Sequence, residues 1–194
     1  VRESGIEELS VGMAESPLGL AGRDAEQAAS NPGTMGYQVS GSKAVLVEYA
    51  VDVWLYRVDS FRPPGNQLSH VASHGVALAL GTARSTVEDC RFAEPAYRGA
   101  GGNGYLFVVA GQDHLFIDTQ ATGGRHNYLL NSGVASGNVF WHVQSDSSVY
   151  ASDSHQYLSH QNLYDSLRQR GSWLQAVNRG SSSGRAGFTA TEQV

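Results

Sequence analysis

Asn138-Val139-Phe140-Trp141-His142-Val143 is a six-residue run of β-branched and aromatic residues, and Gly, Ser and Asp lie on both sides of it. Such a run reads as one short strand. Comparable runs stand before it at residues 53–58 (Val-Trp-Leu-Tyr-Arg-Val), 86–92 (Thr-Val-Glu-Asp-Cys-Arg-Phe) and 114–118 (His-Leu-Phe-Ile-Asp). After it come 162–165 (Asn-Leu-Tyr-Asp) and a last run opening at Glu192-Gln193-Val194. Taking Leu55, Val87, Leu115, Val139, Leu163 and Val194 as equivalent positions, the spacings are 32, 28, 24, 24 and 31 residues. A period of that size predicts a stacked-repeat fold, in which each coil buries its apolar face only against its neighbours. The spacing further predicts that Leu55, Val87, Leu115, Val139 and Leu163 form one internal aliphatic column.

Composition points the same way. Charged residues make up 16% of the 194, and Gly occurs 23 times. That balance suits tight turns and strands more than helices. A formal net charge of −5 gives no electrostatic case for nucleic acid or for an anionic membrane surface. No stretch approaches the ~18 apolar residues of a membrane-spanning helix, so membrane insertion is not expected. The single Cys90 lies inside an apolar run, which predicts a buried, unpaired thiol.

The chain reads as one domain over residues 1–194, without a linker. Ser4 to Val11 reads as a strand with Ile6, Leu9 and Val11 available for a core. No cap precedes it, and the last run is only beginning at Val194, so the sequence reads as a segment of a longer protein. Residues 16–36 are the least periodic part; Asp24-Ala25-Glu26-Gln27-Ala28-Ala29 fits either a short helix or a loop lying across the coils. Residues 37–47 alternate as a strand. Pro63-Pro64-Gly65 marks a turn. Tyr105-Leu106-Phe107-Val108-Val109 reads as a strand buried on both faces. Gly180-Ser181-Ser182-Ser183-Gly184 reads as a loop thrown out sideways.

The runs of the form Asn-Val-Phe-Trp-His-Val, with His74-Gly75-Val76-Ala77-Leu78 and Ser85-Thr86-Val87-Glu88-Asp89-Cys90, resemble right-handed, single-stranded parallel β-helices of the pectin-lyase-like superfamily. The resemblance is sharpest at Gly124-Arg125-His126-Asn127-Tyr128, Ser154-His155 and Asn178-Arg179-Gly180. It implies an all-β fold of stacked coils of about 24–32 residues, with three parallel sheets around one core and ladders of like side chains. It also implies a secreted or cell-surface protein that binds or processes polysaccharide. The other class the sequence allows is a structural or adhesive rod, whose partners are neighbouring protein subunits. The loop after Asn178-Arg179-Gly180 carries Arg185-Ala186-Gly187-Phe188 where the resemblance leads us to expect Gly-His-Gly-Trp.

Candidate chemistry concentrates in two segments. Arg125 beside His126 supplies a carboxylate holder next to an imidazole that titrates near neutral pH, as β-elimination on a uronate requires. Adjacent strand residues face opposite ways, so the pair converges only in a turn, which Gly123-Gly124 makes available. The second segment is Asp153-Ser154-His155 with His160, five residues further on, and His142 one coil before. Its spacing fits no metal motif. Together these give catalytic candidates Arg125, His126 and His155, and ligand-binding candidates Tyr128, Asp153, Tyr157, His160 and Arg179. Asp89, Asp118 and Asp165 are the carboxylates that stacking could bring side by side. No organic cofactor is expected; Ca²⁺ on groove carboxylates is the one ion that the resemblance admits. No Gly-x-Ser-x-Gly elbow and no phosphate loop are present.

Overall fold

A computed structural model describes residues 1–154, 159–176 and 190–191. Among the described residues the regular structure is almost all β-strand, and every strand pairing is parallel. A ten-stranded sheet has two arms. The first arm holds Gly5–Val11, Trp54–Ser60, Thr86–Glu88, Leu115–Ile117, Val139–Trp141 and Leu163–Asp165. The second begins in the far half of Trp54–Ser60 and continues through Arg91–Ala93, Gln120–Thr122, Gln144–Asp146 and Arg168–Arg170. A six-stranded sheet holds Lys43–Val47, His74–Leu78, Tyr105–Val109, His126–Leu130, Ser152–Ser154 and Leu174–Gln175. Ser159–His160 and Ala190–Thr191 form a small third sheet. Each strand therefore pairs with the equivalent strand of the next repeat, as the sequence period predicts.

Three corners recur at fixed register. The residue joining the two arms is Glu8, Arg57, Asp89, Asp118, His142 and Ser166 in successive repeats, always with φ between 49° and 59°. Glu94, Gly123, Ser147 and Gly171 make a second left-handed corner after the second arm. Glu3, Asp52, Arg84, Asp113, Gly137 and Gln161 make a third before the first arm. None of these residues is β-branched, as left-handed backbone demands. One such residue turns the strand direction sharply without a loop, which explains arms of only three residues.

The core column differs from the expected one at three of its five positions, each shifted by one residue. Leu55 pairs with Val87, but Val87 pairs with Phe116, Phe116 with Phe140 and Phe140 with Tyr164. The inward column is thus Leu55, Val87, Phe116, Phe140 and Tyr164. Its aromatic rings stack at 4.8 and 4.6 Å with interplanar angles of 13° and 6°. Leu115, Val139 and Leu163 stand on the outer side, half-buried, in register with Trp54 and Thr86. The cause is that Leu115-Phe116 and Val139-Phe140 are apolar at both parities, so the period alone does not decide which member faces in. A second inward stack, Phe107 on Tyr128 at 5.1 Å, meets the first edge-on. Cys90 is fully buried and unpaired, and burial pushes its thiol up to about 11.

Polar side chains also stack. Asn138 Oδ1 accepts from His114 N at 3.0 Å, and Asn162 Oδ1 accepts from both Asn138 N and Asn138 Nδ2. His114 continues this column upward, accepting from Ser85 N through Nδ1. These side chains satisfy backbone groups that the tight third corner leaves out of the ladders.

Within the aperiodic segment the Ala-rich stretch takes the loop alternative over most of its length. Ala28–Ser30 is a single 3₁₀ turn, and residues 24–27 are turns rather than helix. The short α-helix is instead Met35–Val39, started by Thr34 Oγ1 accepting from Tyr37 N, so the strand expected over 37–47 begins only at Lys43. This segment is tied across the repeats by ion pairs Arg23–Glu94, Arg98–Asp24 and Arg125–Glu26, at 2.7–2.8 Å. Gly5–Val11 is a strand, but Ile6 and Leu9 are exposed at the sheet's end. The loop expected at 180–184 lies outside the described residues. No helix among the described residues is long and apolar enough to cross a membrane.

Candidate functional site

The second corner decides where Arg125 and His126 point. Gly123 has φ of +76°, and a side chain on Gly124 would lie 2.8 Å from Asn127 Oδ1. Asn127 is fully buried; its Oδ1 accepts from Gly124 N, and its Nδ2 donates to the carbonyls of Ala121 and Asp146. This clamp fixes the turn so that consecutive residues Arg125 and His126 reach the same pocket. Tyr150 stands one repeat on, its N–H donating to Arg125 O at 2.8 Å.

The pocket, of about 320 Å³, is lined by Arg125, His126, Tyr150, Ala151, Asp153, Trp173 and Gln175. Arg125 lies with its guanidinium carbon 4.5 Å from the centre of the Tyr150 ring. His126 packs between Tyr105 and Tyr150, with ring centres 5.0 and 5.9 Å away. Its Nδ1 is 2.5 Å from Ala151 O and 3.7 Å from Asp153 Oδ1. A carbonyl only accepts, so Nδ1 carries the proton and Nε2 is the basic nitrogen of the neutral ring. Asp153 is buried, whereas Tyr150 and Trp173 are 43% and 47% exposed. Burial raises the Tyr105 phenol to about 12, which keeps it neutral beside the histidine.

The other sequence candidates fall elsewhere. Tyr128 is fully buried, stacked on Phe107, with its hydroxyl 3.0 Å from Thr119 O and 3.1 Å from Gln144 O. It belongs to the core rather than to a contact face: Tyr128 and Leu130 are in register with the buried Phe107 and Val109. His160 pairs with Ser136 at the third corner and is not among the pocket's residues. His142 sits at the first corner, 3.6 Å from Asp118, so it does not join Asp153. Asp89 and Asp118 are neighbours in that corner column, while Asp165 lies one position earlier on its strand. His155, Tyr157 and Arg179 lie outside the described residues. Among the described residues, no three His, Cys, Asp or Glu side chains converge as a metal would require.

Sequence reading missed Tyr150, Trp173, Gln175 and Glu26. Tyr150 and Trp173 carried a usable signal: both are large aromatics two or three residues after a second-corner turn, at Ser147 and Gly171, much as Arg125 follows Gly123. Glu26 carried none, since its partner is 99 residues away in the chain.

Compared with models of known protein families, with curated proteins and with solved structures, the chain matches none of them.

Proposed function

We propose that this chain is a right-handed parallel β-helix of the pectin-lyase-like kind, acting in an extracellular or cell-surface setting, and that it binds polysaccharide at the Arg125 pocket. The observation that carries the reading is the pair of exposed aromatics, Tyr150 and Trp173, beside a recess that also holds His126, Asp153 and Gln175. A pyranose has apolar faces and a rim of hydroxyls. Aromatic faces bury the former, and a buried carboxylate, an imidazole and an amide give directional bonds to the latter. The volume suits one sugar of a chain. Repeats that pair parallel on both large sheets, with stacked core columns, support the winding. The reading uses no cofactor: Asp153 is the sole carboxylate among the described lining residues, too few oxygens for the 6–8 that Ca²⁺ takes.

The test is titration calorimetry against a glycan panel. Trp173→Ala and Tyr150→Ala are each expected to weaken binding by about tenfold or more, with unchanged melting temperature. Retained affinity in both variants would overturn the assignment of this pocket. A second reading, a rod built from stacked subunits, is favoured by Ile6 and Leu9, which occupy inward columns yet are 40% and 43% exposed on a strand paired along one edge. It prevails if no glycan binds and the protein sediments as end-to-end polymers that Leu9→Lys dissolves.

A further inference from the structure

We infer that the pocket selects neutral sugars over uronates, and that Glu26 sets this preference by occupying the arginine that a uronate would need. The inference rests on the glycan-binding reading above and names the substrate class of that site.

A sugar carboxylate is recognised most strongly by the two-pronged fork of a guanidinium. Arg125 is the only arginine lining the pocket among the described residues, and its fork is taken. Nη1 donates to Glu26 Oε1 at 2.8 Å and to Arg98 O at 3.0 Å, and Nη2 donates to Glu26 Oε2 at 3.2 Å. The opposite face of the group is covered by Tyr150, and the side chain is only 14% exposed. The adjoining arginines are matched in the same way, Arg98 by Asp24 at 2.8 and 2.9 Å and Arg23 by Glu94 at 2.7 Å. Three guanidiniums therefore face Asp24, Glu26 and Glu94. Among the described lining residues, an entering carboxylate meets no unmatched cation. A neutral pyranose needs no such cation, and the aromatic groups Tyr150 and Trp173 stand exposed to it.

The chemistry follows from the charge. Elimination removes a proton beside a carboxylate, whose neutralised charge stabilises the carbanion; a neutral sugar offers no such proton. If the pocket admits neutral glycans, Arg125 and His126 do not serve as a uronate-eliminating pair, and Arg125 acts as a positioning residue that holds Tyr150 and the 23–26 segment.

Calorimetry with cellohexaose, xylohexaose and mannohexaose against hexagalacturonate tests this, using the full chain at low and at physiological salt. Wild type is expected to bind at least one neutral hexamer about tenfold or more tighter than hexagalacturonate. Glu26→Gln unlocks the guanidinium charge and is expected to shift the acidic-to-neutral affinity ratio by about tenfold toward the acid, more at low salt. Glu26→Asp, too short to keep both prongs, should shift it the same way by less, which covers the case where Glu26→Gln folds poorly. Tighter wild-type binding of hexagalacturonate, or a ratio unmoved in both variants, overturns the inference while leaving glycan binding intact. Binding of no hexamer of either kind removes the glycan reading itself.

Discussion

At the scale of single residues, burial sets the ionisation of groups that the sequence shows only as polar. Burial holds His74 at about 4, helped by Lys43, and burial likewise holds His114 at about 4. Both lie below the ordinary histidine value of 6.5. Between pH 6.5 and 4 the unfolded chain takes up protons that the fold refuses, so stability is complete above 6.5 and falls as pH drops through that window. Burial also works against the charged form of Glu15, but N–H donors from Leu68, Gln67 and Ser69, with the Ser69 hydroxyl, outweigh it and hold the carboxyl at about 2. Its contribution is present above 4.5 and is lost as pH falls toward 2. Thermal melts from pH 7 to 4 are expected to show falling stability, and His74→Phe, which keeps a ring against Tyr105, should flatten part of that slope. An unaltered slope in His74→Phe would show that His74 titrates normally in the fold.

At the scale of strands, the decisive quantity is register. Phe140 lies in the inward stack between Phe116 and Tyr164, while Val139 stands half-buried outside. Phe140→Asp is expected to cost about 4 kcal/mol or more, since it opens the stack and buries an unpaired charge. Val139→Asp should cost only about 1 kcal/mol. Urea titration of the two variants compares them directly, and the reverse order would restore the column Leu115, Val139 and Leu163 to the interior. The strands themselves were legible, because β-branched and aromatic runs recur with turn residues between them. Their facing was not, since Leu115-Phe116, Val139-Phe140 and Leu163-Tyr164 are apolar at both parities. Nor were the corners: left-handed backbone here falls on residues as different as Arg57, Asp118 and His142, and only stacking makes them equivalent. The helix Met35–Val39 depends on the Thr34 cap, a signal weaker than the alternation that masked it.

At the scale of the molecule, stacking turns sequence distance into contact. Arg125, Tyr150 and Trp173 come from successive repeats and line one pocket, and the 23–26 segment reaches it across the repeats. The pairing of Arg125 with His126 and Asp153 could be read from the Gly123-Gly124 turn and the repeat length. The aromatic mouth left only the trace of two aromatics after their turns, and the Glu26 clamp required the fold, because Glu26 lies 99 residues from Arg125 in the chain. The account stands most directly on where a sugar sits. A crystal of the protein soaked with a neutral hexasaccharide that it binds is expected to show one pyranose against the faces of Tyr150 and Trp173, with its hydroxyls toward Asp153, His126 and Gln175 and with Glu26 still on Arg125. A sugar ordered on another face, with this pocket holding only solvent, would contradict it.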